Sequence, residues 1–371
     1  MRARGGDETL SVAAVTPKPL ASSHQCQQDG PVRFRDERAV WSDLRATRHA
    51  PPGGAAVHPE RRSTYVAALQ QAEELFRAAE TSGPASSPLL LFYGLSQAGR
   101  ALTAAAAVLQ GDDWQLSGHG IKAACMSADL PKINVMTPPK ADKTSFVRLS
   151  RLLDSPVWTG ADPVTLAQLW DAIPGMAEHP LGTDDKRRSP LEAVPNSPQD
   201  GHQIVSALVS GFPHHLASVS ATRADFDAFM ASYPTALGYI PVVDQTGKPQ
   251  YHDYADTHGL SVQMSWEAGT TYPVAEDVRI ARINAVVRHY ARGHFYLFAQ
   301  TIAGGKPLHP LMTWWTVLYT LSMLARYQPS EWSHCIDINS SPFASVLEHL
   351  LDEARTVVPD LVLTTLETVA T

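Results

Sequence analysis

Two arginine–histidine pairs stand close together late in the chain: Arg288 and His294 with five residues between them, and Arg282 and His289 with six. These residue types suit RNA chemistry. A guanidinium holds a phosphate through two parallel hydrogen bonds, and an imidazole moves a proton near neutral pH when a 2′-hydroxyl attacks. The alternative is that all four are solvated or salt-bridged surface residues. A chain with 30 Lys and Arg and 15 His produces such spacings often, so chance favours that alternative.

The run Leu89-Leu90-Leu91-Phe92-Tyr93-Gly94-Leu95-Ser96-Gln97-Ala98-Gly99 imitates a nucleophile elbow. In that motif a strand turns sharply into a helix and exposes the serine, with small residues on both flanks. Ala98 stands where the motif has its second glycine. A triad would need a later acid and histidine, for which Asp352 with His349 or His334 are available. However, the preceding segment is a helix and not a set of buried strands, so the elbow competes with Ser96 lying inside a helix whose glycines let neighbours pack closely.

Arg100 is a lone charge in an otherwise apolar segment, and a buried arginine needs a partner or an anionic ligand. Arg326 ends the apolar run of Trp314, Trp315, Leu318, Leu321 and Leu324, where a cation also suits a helix C-terminus. His119, between Gly118 and Gly120, is a turn residue able to reach a pocket. Arg100, His119 and Arg326 are therefore the candidate ligand-binding residues. Metal binding is not expected, because His214-His215 and His334-Cys335 are adjacent pairs without an acidic cluster. Neither a P-loop nor a dinucleotide fingerprint occurs, and no cofactor is expected.

The elements that must position these residues follow from composition and period. At 371 residues, 44% hydrophobic and 18% charged, the chain reads as an ordinary globular protein. A net charge of -7 argues against a general nucleic-acid coat, though a local basic patch is compatible with it. Cys26, Cys125 and Cys335 are an odd number without a C-x-x-C spacing, which fits a reducing compartment. Without a signal-peptide core near the start, a cytoplasmic location is expected. Leu311–Ala325 is too short and too rich in Thr to span a bilayer and reads as a buried helix, so no membrane association is expected.

Residues 1–35 read as a flexible leader, and 36–371 as one large helical domain with a mixed α/β insertion at about 115–305. Tyr65, Leu69, Ala72, Phe76 and Ala79 recur at helical spacing. Together with a nearly uncharged helix from about Pro88 to Leu109 they form an antiparallel hairpin. Ile133–Met136, Ser261–Trp266, Gly293–Thr301 and Leu361–Leu363 read as short strands. Helices are expected over Pro163–Ile173, Ser220–Ser232, Val274–Val287, Pro310–Tyr327 and Phe343–Val357. The stretch from Asp184 to Asp200 is expected to be a mobile loop. The fold class is α+β, predominantly helical, a helical bundle with β-rich insertions.

Three strings, Phe92–Leu102, His119-Gly120-Ile121, and Leu321–Pro329 with Trp332, resemble the bacterial YaaC-like family. That resemblance identifies kin without supplying a reaction. The paired-aromatic helix followed by a basic residue is also similar to helices of HEPN-like bundles, many of which cleave RNA as toxins or in antiviral defence. The Arg288–His294 and Arg282–His289 spacings match the short signature of HEPN-type ribonucleases. The resemblance implies a HEPN-like bundle acting in defence or stress response by binding RNA, a nucleotide or a protein partner, including a second copy of itself. A serine hydrolase using Ser96 and a purely structural subunit are the alternatives.

Overall fold

The structure, a computed structural model, describes residues 37–371 apart from 128, 185–186, 197–200, 256 and 303–304. The expected leader and Cys26 lie outside the described residues, as does part of the loop expected from Asp184 to Asp200. The described residues fall within one compact unit, Arg33–Thr371.

The first helices are α1 (Glu37–His49), α2 (Gly53–Val57), α3 (Pro59–Glu80) and α4 (Ser87–Ala105). Pro59 starts α3, well before Tyr65, because a proline at the first helical position lacks only an N–H that has no partner there anyway. Tyr65, Leu69, Ala72, Phe76 and Ala79 are all buried. The hairpin is antiparallel: Arg61 at the start of α3 donates to the carbonyls of Thr103 and Ala104 at the end of α4. At the other end, Phe76 lies over Gly94.

Next come β1 (Lys122–Ala124), β2 (Asn134–Met136), α5 (Ser145–Leu152), β3 (Val164–Thr165) and α6 (Leu166–Asp171). The strands form a small antiparallel sheet in the order β1-β2-β3. Ala123, Val135 and Val164 join the core of the helices. A capping box between Thr165 and Gln168 starts α6.

The second sheet comprises β4 (Leu191–Pro195), β5 (Ile204–Phe212), β6 (Tyr239–Pro241), β7 (Tyr251–His252), β8 (Leu260–Glu267), β9 (Arg288–His289) and β10 (Phe295–Leu297), with α7 (Arg223–Met230) and α8 (Glu276–Val286) between its strands. Its order is β6-β8-β5-β4-β10-β9, with β7 also pairing β8. Val205, Ala207, Val209 and Phe212 face Phe226, Phe229 and Trp266 in a separate hydrophobic core. Two features of this sheet correct the sequence expectation. The strand β5 was not anticipated, and β4 occupies part of the stretch expected to be a mobile loop.

The chain closes with α9 (Pro310–Tyr327), α10 (Pro329–Cys335) and α11 (Ala344–Val369). Every residue of α9 from Pro310 to Leu324 is buried, as expected of the apolar run. The strand expected over Leu361–Leu363 is a correction: Pro359 sits inside the continuous helix α11. An internal proline removes one backbone hydrogen bond, but Val358, Leu361, Val362, Leu363 and Leu366 remain buried on the helical core across it. Burial of that face outweighs the break. The α+β class holds, with two antiparallel sheets beside the helices. Among the described residues no helix is long and apolar enough to cross a membrane.

Candidate ligand-binding site

On α4 nearly every side is packed, because Leu91, Phe92, Leu95, Ala98, Ala101 and Leu102 are buried. One stripe is not. Tyr93, Ser96 and Gln97 are half-buried and Arg100 is exposed, a spacing that places all four on one face. The expectation that Arg100 is buried is thus corrected: the helix is apolar on its other faces, and this stripe turns to solvent. Ser96 lies in the interior of α4, with neither a strand before it nor a turn at it, so the nucleophile elbow is corrected as well.

His119 occupies a short loop between two glycines of positive φ, Gly118 at 58° and Gly120 at 76°. Gly120 leaves room for Thr144, whose side chain a Cβ there would strike. Backbone bonds from Ser145 to the Ser117 carbonyl (3.1 Å) and from Phe146 to the His119 carbonyl (3.0 Å) pin the loop to the start of α5. The imidazole packs on Phe92 and Tyr319, with ring centroids 5.6 and 5.7 Å away. Phe92 and Tyr319 meet edge-on at 5.3 Å.

Arg326, in the last turn of α9, does more than end a helix. Its Nη1 donates to the Tyr93 hydroxyl at 2.7 Å, and its guanidinium carbon lies 5.1 Å from the centroid of Tyr327, within cation–π range. Tyr319 precedes it by two turns on the same helix face. Burial, followed by the nearby Arg326 charge, holds the His119 imidazole below its ordinary pKa, which keeps it neutral near pH 7. Burial pushes the Tyr319 phenol up to about 12. The site therefore presents a fixed guanidinium and a neutral imidazole among aromatic rings, with the neutral Tyr319 phenol behind them.

The three sequence strings thus meet in space. Tyr93, Tyr319 and Tyr327 were not singled out from sequence, although Tyr93 stands seven residues before Arg100, the signal of a shared helix face. The arginine–histidine pairs lie elsewhere and share no helix. Arg282 is on α8, donating to the carbonyls of Glu267 and Leu237 at 3.1 and 3.3 Å. Arg288 and His289 form β9, and His294 precedes β10. His294 bonds Glu192 through Nδ1 at 2.7 Å, which raises its pKa. Burial lowers the pKa of Arg288, an effect partly offset by Asp154. The His289 ring packs on Phe295 at 5.4 Å. Among the described residues no group of three or more His, Cys, Asp or Glu is placed to hold a metal ion.

Fold and site together define an α+β protein with an aromatic and basic surface where two long helices and a glycine-bounded loop converge. The chain belongs to the YaaC-like family, whose model, described as YaaC-like Protein, matches residues 48–366. That span contains every residue of the site. No curated protein and no solved structure matches the chain.

Proposed function

We propose that this protein binds RNA or a nucleotide through the surface formed by Tyr93, His119, Arg326 and Tyr327, with Tyr319 packed behind His119. The observation that carries the proposal is the Arg326 guanidinium, exposed yet held by the Tyr93 hydroxyl and the Tyr327 ring. A preorganised guanidinium beside aromatic faces suits a phosphate and a stacked base, and Arg100 adds a second exposed cation on the neighbouring helix. A role in defence or stress response, and a HEPN-like bundle, rest on the resemblance of the paired-aromatic helix alone. A ribonuclease version makes a further demand: replacing His294 or His289 must abolish cleavage while the fold persists.

Fluorescence anisotropy with a labelled single-stranded oligoribonucleotide and a labelled adenine nucleotide tests the proposal. Arg326→Ala should weaken binding about tenfold or more, the value of a charged hydrogen bond. If neither probe binds, or if Arg326→Ala and Tyr93→Phe leave affinity unchanged, the proposal fails.

A second reading, a protein partner or a second copy of the chain, is favoured by one observation. Leu237, Ile240, Val242 and Val243, in and around the edge strand β6, are 67, 58, 42 and 42% exposed, and apolar edge strands invite pairing. Light scattering on Ile240→Lys beside the unaltered chain tests it. A monomer in both samples, together with no copurifying partner, removes it.

A further inference from the structure

Away from the Arg326 surface, the segment from Pro174 to His179, strands β4, β5 and β10, and helix α11 surround a cleft of about 300 Å³. It lies where the helical core, represented by Met176, meets the sheet core, represented by Leu191. Junctions of this kind are preferred ligand sites. A β-bulge between Ser210 and Phe212 opens the sheet at the cleft, and Gly211 within it has φ 106°. Bulges are enriched beside functional sites, where they break the ladder and re-aim side chains.

The lining chemistry is one-sided. Glu178 and Glu192 contribute carboxylates, and none of the lining residues is Lys or Arg. The Glu353 side chain approaches within 3.1 Å of where a Cβ on Gly175 would sit, so the missing side chain admits a third carboxylate beside the cleft. Among the described residues each lining carboxylate is held on one oxygen: His258 Nδ1 meets Glu178 Oε1 at 2.8 Å, and His294 Nδ1 meets Glu192 Oε1 at 2.7 Å. The rings of His179 and His349 are in contact, with centroids 4.1 Å apart and planes tilted by 45°. Tyr296 adds a phenol whose pKa burial raises, so it stays neutral. The Arg292 guanidinium, whose charge is felt at His294, donates to the Thr356 hydroxyl at 2.6 Å.

We infer that this cleft binds a small organic cation bearing an alkylammonium or guanidinium group, held by Glu178 and Glu192 and stacked on the His179–His349 pair and Tyr296. Cationic N–H donors match the open carboxylate oxygens, and the ring faces attract the same charge. The inference does not depend on the Arg326 surface.

Isothermal titration of the full chain with agmatine and with putrescine, and with acetate as the anionic probe, tests it. At least one of agmatine and putrescine should bind with unit stoichiometry, and acetate should not. Glu178→Gln and Glu192→Gln should each weaken that binding about tenfold, whereas Arg326→Ala should leave it unchanged. The Glu178 side chain is 67% exposed, so its variant keeps the test valid even if Glu192→Gln fails to fold. Absence of binding by both agmatine and putrescine, equal affinity for acetate, or cation affinity unaffected by Glu178→Gln overturns the inference.

Discussion

Arg61, and not Arg100, is the cation taken into the helical core. It is 5% exposed. Its Nε and Nη1 donate to the carbonyls of Ala104 and Leu109 at 2.8 and 3.1 Å, and Nη2 donates to those of Thr103 and Ala106. The last carbonyls of a helix lack intrahelical partners and carry partial negative charge, so one guanidinium satisfies the end of α4. Arg61→Met leaves those buried acceptors without donors and should cost about 3 kcal/mol, measured as a lower urea midpoint with an unchanged slope. From sequence Arg61 looks like one of several charges on an amphipathic helix. Arg100 looks isolated because its neighbours are apolar, yet Tyr93, Ser96 and Gln97 already marked a solvent face. A second residue-scale prediction concerns His309, whose pKa falls to about 3 through burial and then the Arg288 charge. Its unfolded value is near 6.5, so the unfolded chain binds the extra proton between those values and stability drops as pH falls through that window. His309→Asn, which keeps a side-chain acceptor at the start of α9, should flatten the pH dependence of the urea midpoint between pH 7 and pH 5.

At the scale of elements, two glycines decide how close α4 lies to its neighbours. A Cβ on Gly99 would sit 2.7 Å from the Trp315 ring and 3.2 Å from Leu149, and one on Gly94 would sit 2.7 Å from the Phe76 ring. Alanine would gain about 1 kcal/mol of helix propensity. Overpacking against rings that have no room to move costs about 1–3 kcal/mol, and Trp315 is fully buried. Gly99→Ala should therefore lower the melting temperature by a few degrees in a thermal scan. The boundaries of α9 were legible to the residue, since Pro310 opens it and Gln328-Pro329 closes it. By contrast, the helix expected to end at Val357 runs on through Pro359 to Val369, because local propensity yields to a buried face on both sides. The missed β5 has Ser206, Ser210 and Gly211 among its apolar residues, and Ser210 finds a buried partner in the Ser261 hydroxyl across the ladder at 2.8 Å. Nothing local announces that pairing.

Considered as a whole molecule, a net charge of -7 disfavours an extended phosphate-binding surface, so any RNA affinity must come from few contacts. If Arg326 and Arg100 are those contacts, the logarithm of the RNA affinity should fall against the logarithm of salt with a slope of about 1.4, the value for two phosphates on a single strand. A much steeper slope in salt titrations would point to a different surface. The Arg326 surface was partly legible because its residues fall in compact strings. The cleft was not, since Glu178, Glu192, His258 and His349 come from four distant segments that only the fold unites.

The sheet core interrupts the helical core in a particular way. Glu192 on β4 and Arg288 on β9 both lie opposite Tyr296 of β10, one on each side, so the chain leaves and returns about 10 Å apart, two strand spacings. A bridge of about four residues covers that gap. Excising 193–287 should therefore yield a shortened protein whose circular dichroism stays strongly helical and whose Arg326 surface survives. The sheet would then be a portable graft, gained or lost without relocating the ends of the scaffold it sits in.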